Sequence, residues 1–254
     1  MNFVVVVPAR IGSTRLPRKV LRELAGRPLV QWTWQTACES GASTVVIATD
    51  SDEVAAACRT FGAQVRMTSS AHQSGTDRAA EVARLEAWPD EQIVVNLQGD
   101  EPLMPPALVS RVAELLDDDA GAQIATLAHP LYGREDWCNP NFVKIVRDHR
   151  GRALYFSRAP IPWRRDGVSR EPPLPPAGLA VRHMGLYAYR VGALKRFAAL
   201  PPSPLERCEA LEQLRALENG MPIAVGLLDN EPPRGVDTEE DLALVAQILA
   251  QRAR

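Results

Sequence analysis

A chain of 254 residues, 46% hydrophobic and 24% charged, has the length and apolar content for one large α/β domain with a substantial core. A net charge of −2 and a pI near 6.1 argue against a protein that coats nucleic acid or an anionic membrane. The opening run 3–7 is too short for a signal-peptide core, and no segment approaches the roughly 18 apolar residues of a membrane span, so the expected setting is cytoplasmic.

In chain order, short β-branched runs at 3–7, 45–48, 93–97, 124–128, 143–146, 186–189 and 223–225 read as strands. Helices are predicted between them at 28–39, 52–61, 76–87, 105–117, 204–219 and 238–252. The first three strands are apolar throughout, as strands covered on both faces of a parallel sheet must be. The expectation is therefore an α/β fold with a mostly parallel, doubly wound sheet. Ser203-Pro204-Leu205-Glu206 places serine at an N-cap, proline at the first helical position and glutamate at N3, and Thr238-Glu239-Glu240-Asp241 resembles the same device. From about 130 to 190 the pattern is less regular, and 171–178 holds four prolines that stiffen a loop. That stretch is expected to form a smaller lobe or an oligomer contact within a single domain spanning 1–254. Cys38, Cys58, Cys138 and Cys208 lie far apart with no C-x-x-C pair, so reduced, mostly buried thiols are expected rather than a disulfide framework or a zinc site.

The chemistry concentrates after the first strand. Pro8-Ala9-Arg10-Ile11-Gly12-Ser13-Thr14-Arg15-Leu16-Pro17-Arg18-Lys19 falls at the carboxyl edge of the sheet, where open α/β folds bind ligands. Arg10, Arg15, Arg18 and Lys19, interleaved with small residues, suit a polyphosphate. The run is neither a G-x-G-x-x-G fingerprint nor a P-loop. The strand at 93–97 leads into Gln98-Gly99-Asp100, which sets Asp100 at the same edge, and a hard carboxylate facing a polyphosphate is a natural Mg²⁺ ligand. Asp237, in Gly235-Val236-Asp237-Thr238, either supplies a second carboxylate or complements the dipole of the helix it precedes. Only three of the 29 basic residues are lysines, and two of them, Lys19 and Lys144, fall inside motifs of this kind.

Together these blocks carry a resemblance. Pro8-Ala-Arg-x-x-Ser-Thr-Arg-Leu-Pro-x-Lys19-x-Leu21, His72-Gln-Ser-Gly-Thr-Asp-Arg78, Gln98-Gly-Asp-Glu-Pro102, Asn139-Pro-Asn-x-Val-Lys144 and Leu154-Tyr-Phe-Ser-Arg-Ala159 are followed by Arg182-His-x-Gly-x-Tyr187, Ser203-Pro-Leu-Glu206, Leu211-Glu-Gln-Leu-Arg215 and Gly235-Val-Asp-Thr238. In this order they resemble the 3-deoxy-D-manno-octulosonate (Kdo) cytidylyltransferases, the CMP-Kdo synthetases of Gram-negative bacteria. The Pro-rich stretch 171–178 departs from the pattern and corresponds to a variable loop.

The resemblance implies a Rossmann-like nucleotidyltransferase fold with a smaller inserted lobe for dimerisation and sugar binding, and a homodimer that joins CTP to Kdo with Mg²⁺ for lipopolysaccharide synthesis. It implies that Arg10, Arg15 and Lys19 hold the triphosphate, with Pro8, Ala9, Ser13, Ser74, Gly75, Arg78 and Gln98 around the nucleotide. Lys19, Arg10, Asp100 and Asp237 are the catalytic set, and Asp100 and Asp237 are the metal ligands. Gln98, Arg158, His183, Tyr187, Glu212 and Gln213 match the sugar-binding positions. His72 more plausibly orients the nucleoside loop than acts as a base. Two other readings stand beside this one: a nucleotidyltransferase for a related 3-deoxy sugar acid, and a catalytically silent nucleotide-sugar binder.

Overall fold

The computed structural model describes residues 1–12, 16–165 and 174–252. Strand β1 (Phe3–Pro8) runs through the interior of the sheet and is buried along its whole length. Phe3, Val5 and Val7 join one apolar cluster while Val4 and Val6 join another, the alternation that a strand covered on both faces requires. A one-turn 3-10 helix (Lys19–Leu21) and a small hairpin, β2 (Glu23–Leu24) with β3 (Arg27–Pro28), then lead to α1 (Leu29–Glu39). There follow β4 (Thr44–Thr49), α2 (Asp52–Thr60), β5 (Gln64–Met67), α3 (Gly75–Leu85), β6 (Ile93–Asn96), α4 (Pro106–Asp118) and β7 (Ile124–Pro130).

β1 pairs in parallel with β4 on one side and β6 on the other, and β5 lies beyond β4. The chain thus winds outward to β5 and crosses back to β6, and that reversal opens a crevice at the carboxyl ends of β1 and β6. α3 packs on the face of Val4 and Val6, and α1, α2 and α4 supply the cluster on the opposite face.

The second half comprises α5 (Arg134–Cys138), β8 (Lys144–Arg147), β9 (Ala153–Ser157), β10 (Val181–Arg190), α6 (Val191–Ala199), α7 (Pro204–Glu209), α8 (Gln213–Glu218), β11 (Ile223–Leu227) and α9 (Glu239–Arg252). The row runs β11-β7-β10-β6-β1-β4-β5, with β10 antiparallel to both neighbours in an otherwise parallel array. The first residues of β10 also pair with β8, and β8 with β9, so this hairpin extends the same nine-stranded sheet.

Several elements differ from the sequence expectation. β5, β9, α5 and α6 were not foreseen. β5 alternates along Gln64-Val-Arg-Met67 for only four residues, and as the edge strand it has no fully buried position, which leaves too short an apolar signal to read. The helix expected over 204–219 is two, α7 and α8, interrupted where Ala210 takes a left-handed φ of 51°. Both expected N-caps are made, Ser203 with Glu206 and Thr238 with Asp241. The thiols are a correction: Cys58 is buried, but Cys38, Cys138 and Cys208 lie on exposed residues, since each sits near the end of a short helix rather than in its packed face. Residues 171–173 of the Pro-rich stretch lie outside the described residues.

Candidate active site

Glycine lets the ends of β1 and β6 close on each other. Gly99 N donates to Pro8 O at 3.2 Å, and a Cβ at Gly99 would stand 2.6 Å from that oxygen. From α1, Thr33 Oγ1 donates to Gly99 O at 3.2 Å and fixes the turn. Gly75 is a second close approach: a Cβ there would meet Gln98 Nε2 at 3.0 Å and Pro8 Cγ at 3.1 Å. The N-terminus of α3, held by a Ser74–Asp77 capping box, therefore abuts the crevice.

The pocket between them, about 310 Å³, is lined by Pro8, Arg10, Lys19, His72, Ser74, Gly75, Arg78 and Gln98 together with Asp100 and Asp237. Ala9 lies just behind the wall, fully buried, its N donating to Ala48 O. Ser13 and Arg15 lie outside the described residues. Two other cations of the expected cluster are committed elsewhere. Arg18 pairs with Glu53 on α2. Arg78, only 2% exposed, is held at 2.5 Å by Asp50 and donates to Thr68 Oγ1 and Ser69 O, so it stiffens the wall. His72 pairs with Glu81 on α3 at 2.5 Å, which fastens its loop.

Asp100 and Asp237, far apart in sequence, are brought together by the backbone: Val236 N donates to Asp100 O at 2.9 Å. Behind them Leu16, Leu24, Leu29, Leu103, Val236 and three residues of α9 form a small apolar cluster that seats the basic loop against the 235–237 turn. Lys19 completes the assembly, its Nζ 2.6 Å from Asp100 Oδ2, 3.1 Å from Asp237 Oδ1 and 2.9 Å from Val236 O. Burial works against the charge of this ammonium, but the Asp100 and Asp237 carboxylates more than offset it and hold its pKa above the ordinary value. Glu101 carries no signal in the sequence beyond its place in Gln98-Gly-Asp-Glu-Pro102. Burial, and then the neighbouring Asp100 and Asp237 charges, push its carboxyl up to about 8, with Lys19 pulling the other way. Two hard carboxylates that already converge on one cation are a donor set suited to Mg²⁺.

A second cavity of about 370 Å³ shares Gln98, Asp100 and Asp237 with the first and continues past His183. Its far wall was not read from the sequence and includes His129, Arg182, Glu231 and Arg234. Arg182 stacks 3.4 Å above the Phe142 ring and donates to Glu231 Oε1 at 2.9 Å. His183 Nε2 lies 3.0 Å from Thr126 Oγ1, and burial lowers its pKa to about 3, so the imidazole is neutral.

The remaining expected sugar residues divide. Tyr187 sits opposite Asn96 across β10 and β6, and Glu212 accepts from Thr76 Oγ1 at 2.9 Å. Tyr187 OH, Glu212 Oε1, Gln213 Nε2 and Asn96 Oδ1 are all buried without a hydrogen-bond partner among the described residues. Each such group costs about 1–3 kcal/mol. None of the four lines either cavity; they adjoin the second through Tyr187, whose ring centroid is 5.2 Å from that of His183, and Glu212 Oε1 keeps Arg215 at 3.7 Å. Arg158 also stands apart from both cavities: it ties the end of α7 to the loop before β8 through Glu209 O at 2.7 Å and Pro140 O at 3.0 Å.

A doubly wound sheet with paired pockets meeting at two carboxylates is the architecture of a Rossmann-like nucleotidyltransferase. A family model described as "Cytidylyltransferase" matches residues 4–223. The 3-deoxy-manno-octulosonate cytidylyltransferase of Halorhodospira halophila is 54% identical over 97% of this chain and 96% of its own length. That of Vibrio vulnificus strain YJ016 is 50% identical over 100% of both. A solved structure of a CMP:2-keto-3-deoxy-manno-octonic acid synthetase complexed with CTP superposes with a TM-score of 0.88 at 37% identity, covering 99% of this chain and 100% of that one. The chain belongs to the family of 3-deoxy-manno-octulosonate cytidylyltransferases.

Proposed function

We propose that the protein joins CTP to Kdo, releasing pyrophosphate and forming CMP-Kdo for lipopolysaccharide synthesis in the cytoplasm. The observation that carries this reading is the sharing of Asp100 and Asp237 by two pockets, one basic and one sugar-sized, so that a triphosphate and an acceptor meet at the same carboxylates. The 310 Å³ pocket takes CTP, with its base and ribose against Ser74, Gly75 and the fixed wall of Arg78. Arg10 and Lys19, with Arg15 and Ser13 of the same loop, meet the phosphates. The second cavity suits a hydroxyl-rich acid, with Gln98 and neutral His183 in its wall donating to hydroxyls; Tyr187, Glu212 and Gln213 line neither cavity and complete the acceptor set from beside it, through the ring contact of Tyr187 with His183. Arg158 supports this side by holding α7.

In the reaction the anomeric 2-hydroxyl of Kdo attacks the α-phosphorus. The new O–P bond forms as the bond to the β-phosphate bridging oxygen breaks, pyrophosphate leaves with that bonding pair, and the hydroxyl proton passes to solvent water. Little covalent work falls to the protein, so positioning and charge neutralisation carry the acceleration. Asp100 and Asp237 would hold Mg²⁺, which when bound neutralises the phosphates and lowers the pKa of an adjacent hydroxyl. A catalytically silent binder gains nothing from two carboxylates at the α-phosphate.

Exposed Leu154, Trp163, Leu174 and Leu179 all fall between 130 and 190, and this supports the same stretch as a lobe whose apolar surface joins two copies in a homodimer. The activity is tested by following pyrophosphate release from CTP and Mg²⁺ with and without Kdo. Kdo-dependent release is expected; release that ignores Kdo, or none from folded protein, contradicts the assignment.

A further inference from the structure

Lys19 belongs to the basic loop, yet its ammonium reaches across to the carboxylates. All three of its donors are used there, on Asp100 Oδ2, Asp237 Oδ1 and Val236 O, at 2.6, 3.1 and 2.9 Å. Three oxygens gathered round one positive charge is the arrangement a divalent cation asks of the same side chains. The ammonium lies underneath, with 11% of the side chain exposed, while Asp100 and Asp237 remain 32% and 52% exposed. An incoming metal would reach the carboxylates and find them engaged.

We propose that Lys19 is a built-in occupant of the cation site: without nucleotide it holds Asp100 and Asp237 against a divalent metal, and an arriving triphosphate draws the ammonium away and frees them. The inference rests on the cytidylyltransferase reading for the identity of the metal and the triphosphate. The backbone is fixed on both sides of the lysine, since Leu16 and Val20 are buried and Arg22 N closes the 3-10 turn on Lys19 O. Only the side chain need move. It lines the nucleotide pocket as well as touching the carboxylates, so the swing requires no loop displacement. A compact ammonium on a flexible four-carbon stem is suited to this, whereas a planar guanidinium is not. The consequence is reciprocal linkage: nucleotide strengthens metal binding, and metal strengthens nucleotide binding by the same factor. Occupancy of the carboxylates nine-tenths of the time weakens metal binding about tenfold.

The test titrates Mn²⁺ into the full-length protein, with bound and free ion separated by electron paramagnetic resonance. Without nucleotide, wild type should bind Mn²⁺ weakly and Lys19→Met about tenfold more tightly. With CTP present and no sugar, the wild-type affinity should rise and the difference between the two proteins should shrink. Arg10→Met, which removes an exposed cation from the same pocket, should leave nucleotide-free Mn²⁺ affinity within twofold of wild type. Lys19→Gln provides the same comparison should the methionine variant not fold. A lysine variant that binds Mn²⁺ no better than wild type overturns the proposal, as does an Arg10→Met variant that gains as much, because bulk charge would then suffice. If no variant binds Mn²⁺ even with CTP, the metal reading of Asp100 and Asp237 fails with it, while Kdo-dependent release of pyrophosphate still tests the cytidylyltransferase reading separately.

Discussion

Asp100 and Asp237 are distinguished by company rather than by type. A chain with 31 acidic residues offers many carboxylates, but these two share a lysine and a boundary between two cavities. Asp100→Asn and Asp237→Asn should each lower kcat by about 10²–10³-fold, the scale of removing one preorganised charge at a developing transition state. Unchanged circular dichroism with near-wild-type turnover would remove that residue from the centre. Lys144 is the other decisive lysine, fully buried and donating to the carbonyls of Asn139, Phe142 and Arg158. Lys144→Met strands those acceptors and should cost about 3 kcal/mol in denaturant unfolding; a loss under about 0.5 kcal/mol, the scale of an ordinary surface substitution, would make it a surface residue in effect.

His183 gives a pH dependence with a definite sign. Its folded pKa of about 3 lies below the unfolded value near 6.5, so the unfolded chain binds the proton more readily between those limits. The stability tied to the neutral imidazole is complete above pH 6.5 and is lost as the pH falls toward 3. The melting temperature of wild type should therefore drop between pH 6.5 and 4.5, and that of His183→Gln should drop less. Equal slopes would show that other groups carry the acid sensitivity.

Among the elements, those that build the site are the ones whose local signals agree. β1 is a short apolar run ending at Pro8, β6 is another that leads within three residues to Gly99, and the Ser203 and Thr238 caps announce their helices. The polar side of the acceptor cavity was harder to read, because it depends on contacts between distant segments. Arg182 and Glu231 lie 49 residues apart and meet only because β10 and the 229–235 turn face one cavity. The break between α7 and α8 has no glycine or proline to signal it: Ala210 adopts the left-handed conformation, and Glu212 and Gln213 follow in a new direction. At Gly99 the requirement is steric and testable. Gly99→Ala forces a methyl to 2.6 Å from Pro8 O and should destabilise the protein by about 1–3 kcal/mol. Nucleotide affinity should fall with it, since the strand ends that frame the pocket must separate. An alanine variant with wild-type stability and CTP affinity would show that the turn closes without glycine.

At the scale of the whole molecule, pattern implied the parallel sheet that the structure contains. What pattern did not convey was the reversed strand β10, which carries His183 and Tyr187 into the parallel array and joins the β8–β9 hairpin to the same sheet. The residues expected at motif spacing gather more completely round the 310 Å³ pocket than round the second cavity, because the walls of the first follow strand ends and those of the second are side chains gathered across the fold. The exposed apolar residues between 130 and 190 belong to this scale too. Sedimentation should give a mass near twice 27.8 kDa, and a monomer at micromolar concentration would leave that surface unexplained.

The central claim is that a triphosphate and a sugar acid meet at Asp100 and Asp237 and that the α-phosphorus is the centre attacked. Parallel reactions with CTP labelled with ³²P at the α or the γ position, in the presence of Mg²⁺ and Kdo, test it directly. The α label should appear in the sugar nucleotide and the γ label in pyrophosphate, both only when Kdo is present. Transfer of the γ label to the sugar, or Kdo-independent release of labelled CMP, would contradict the account.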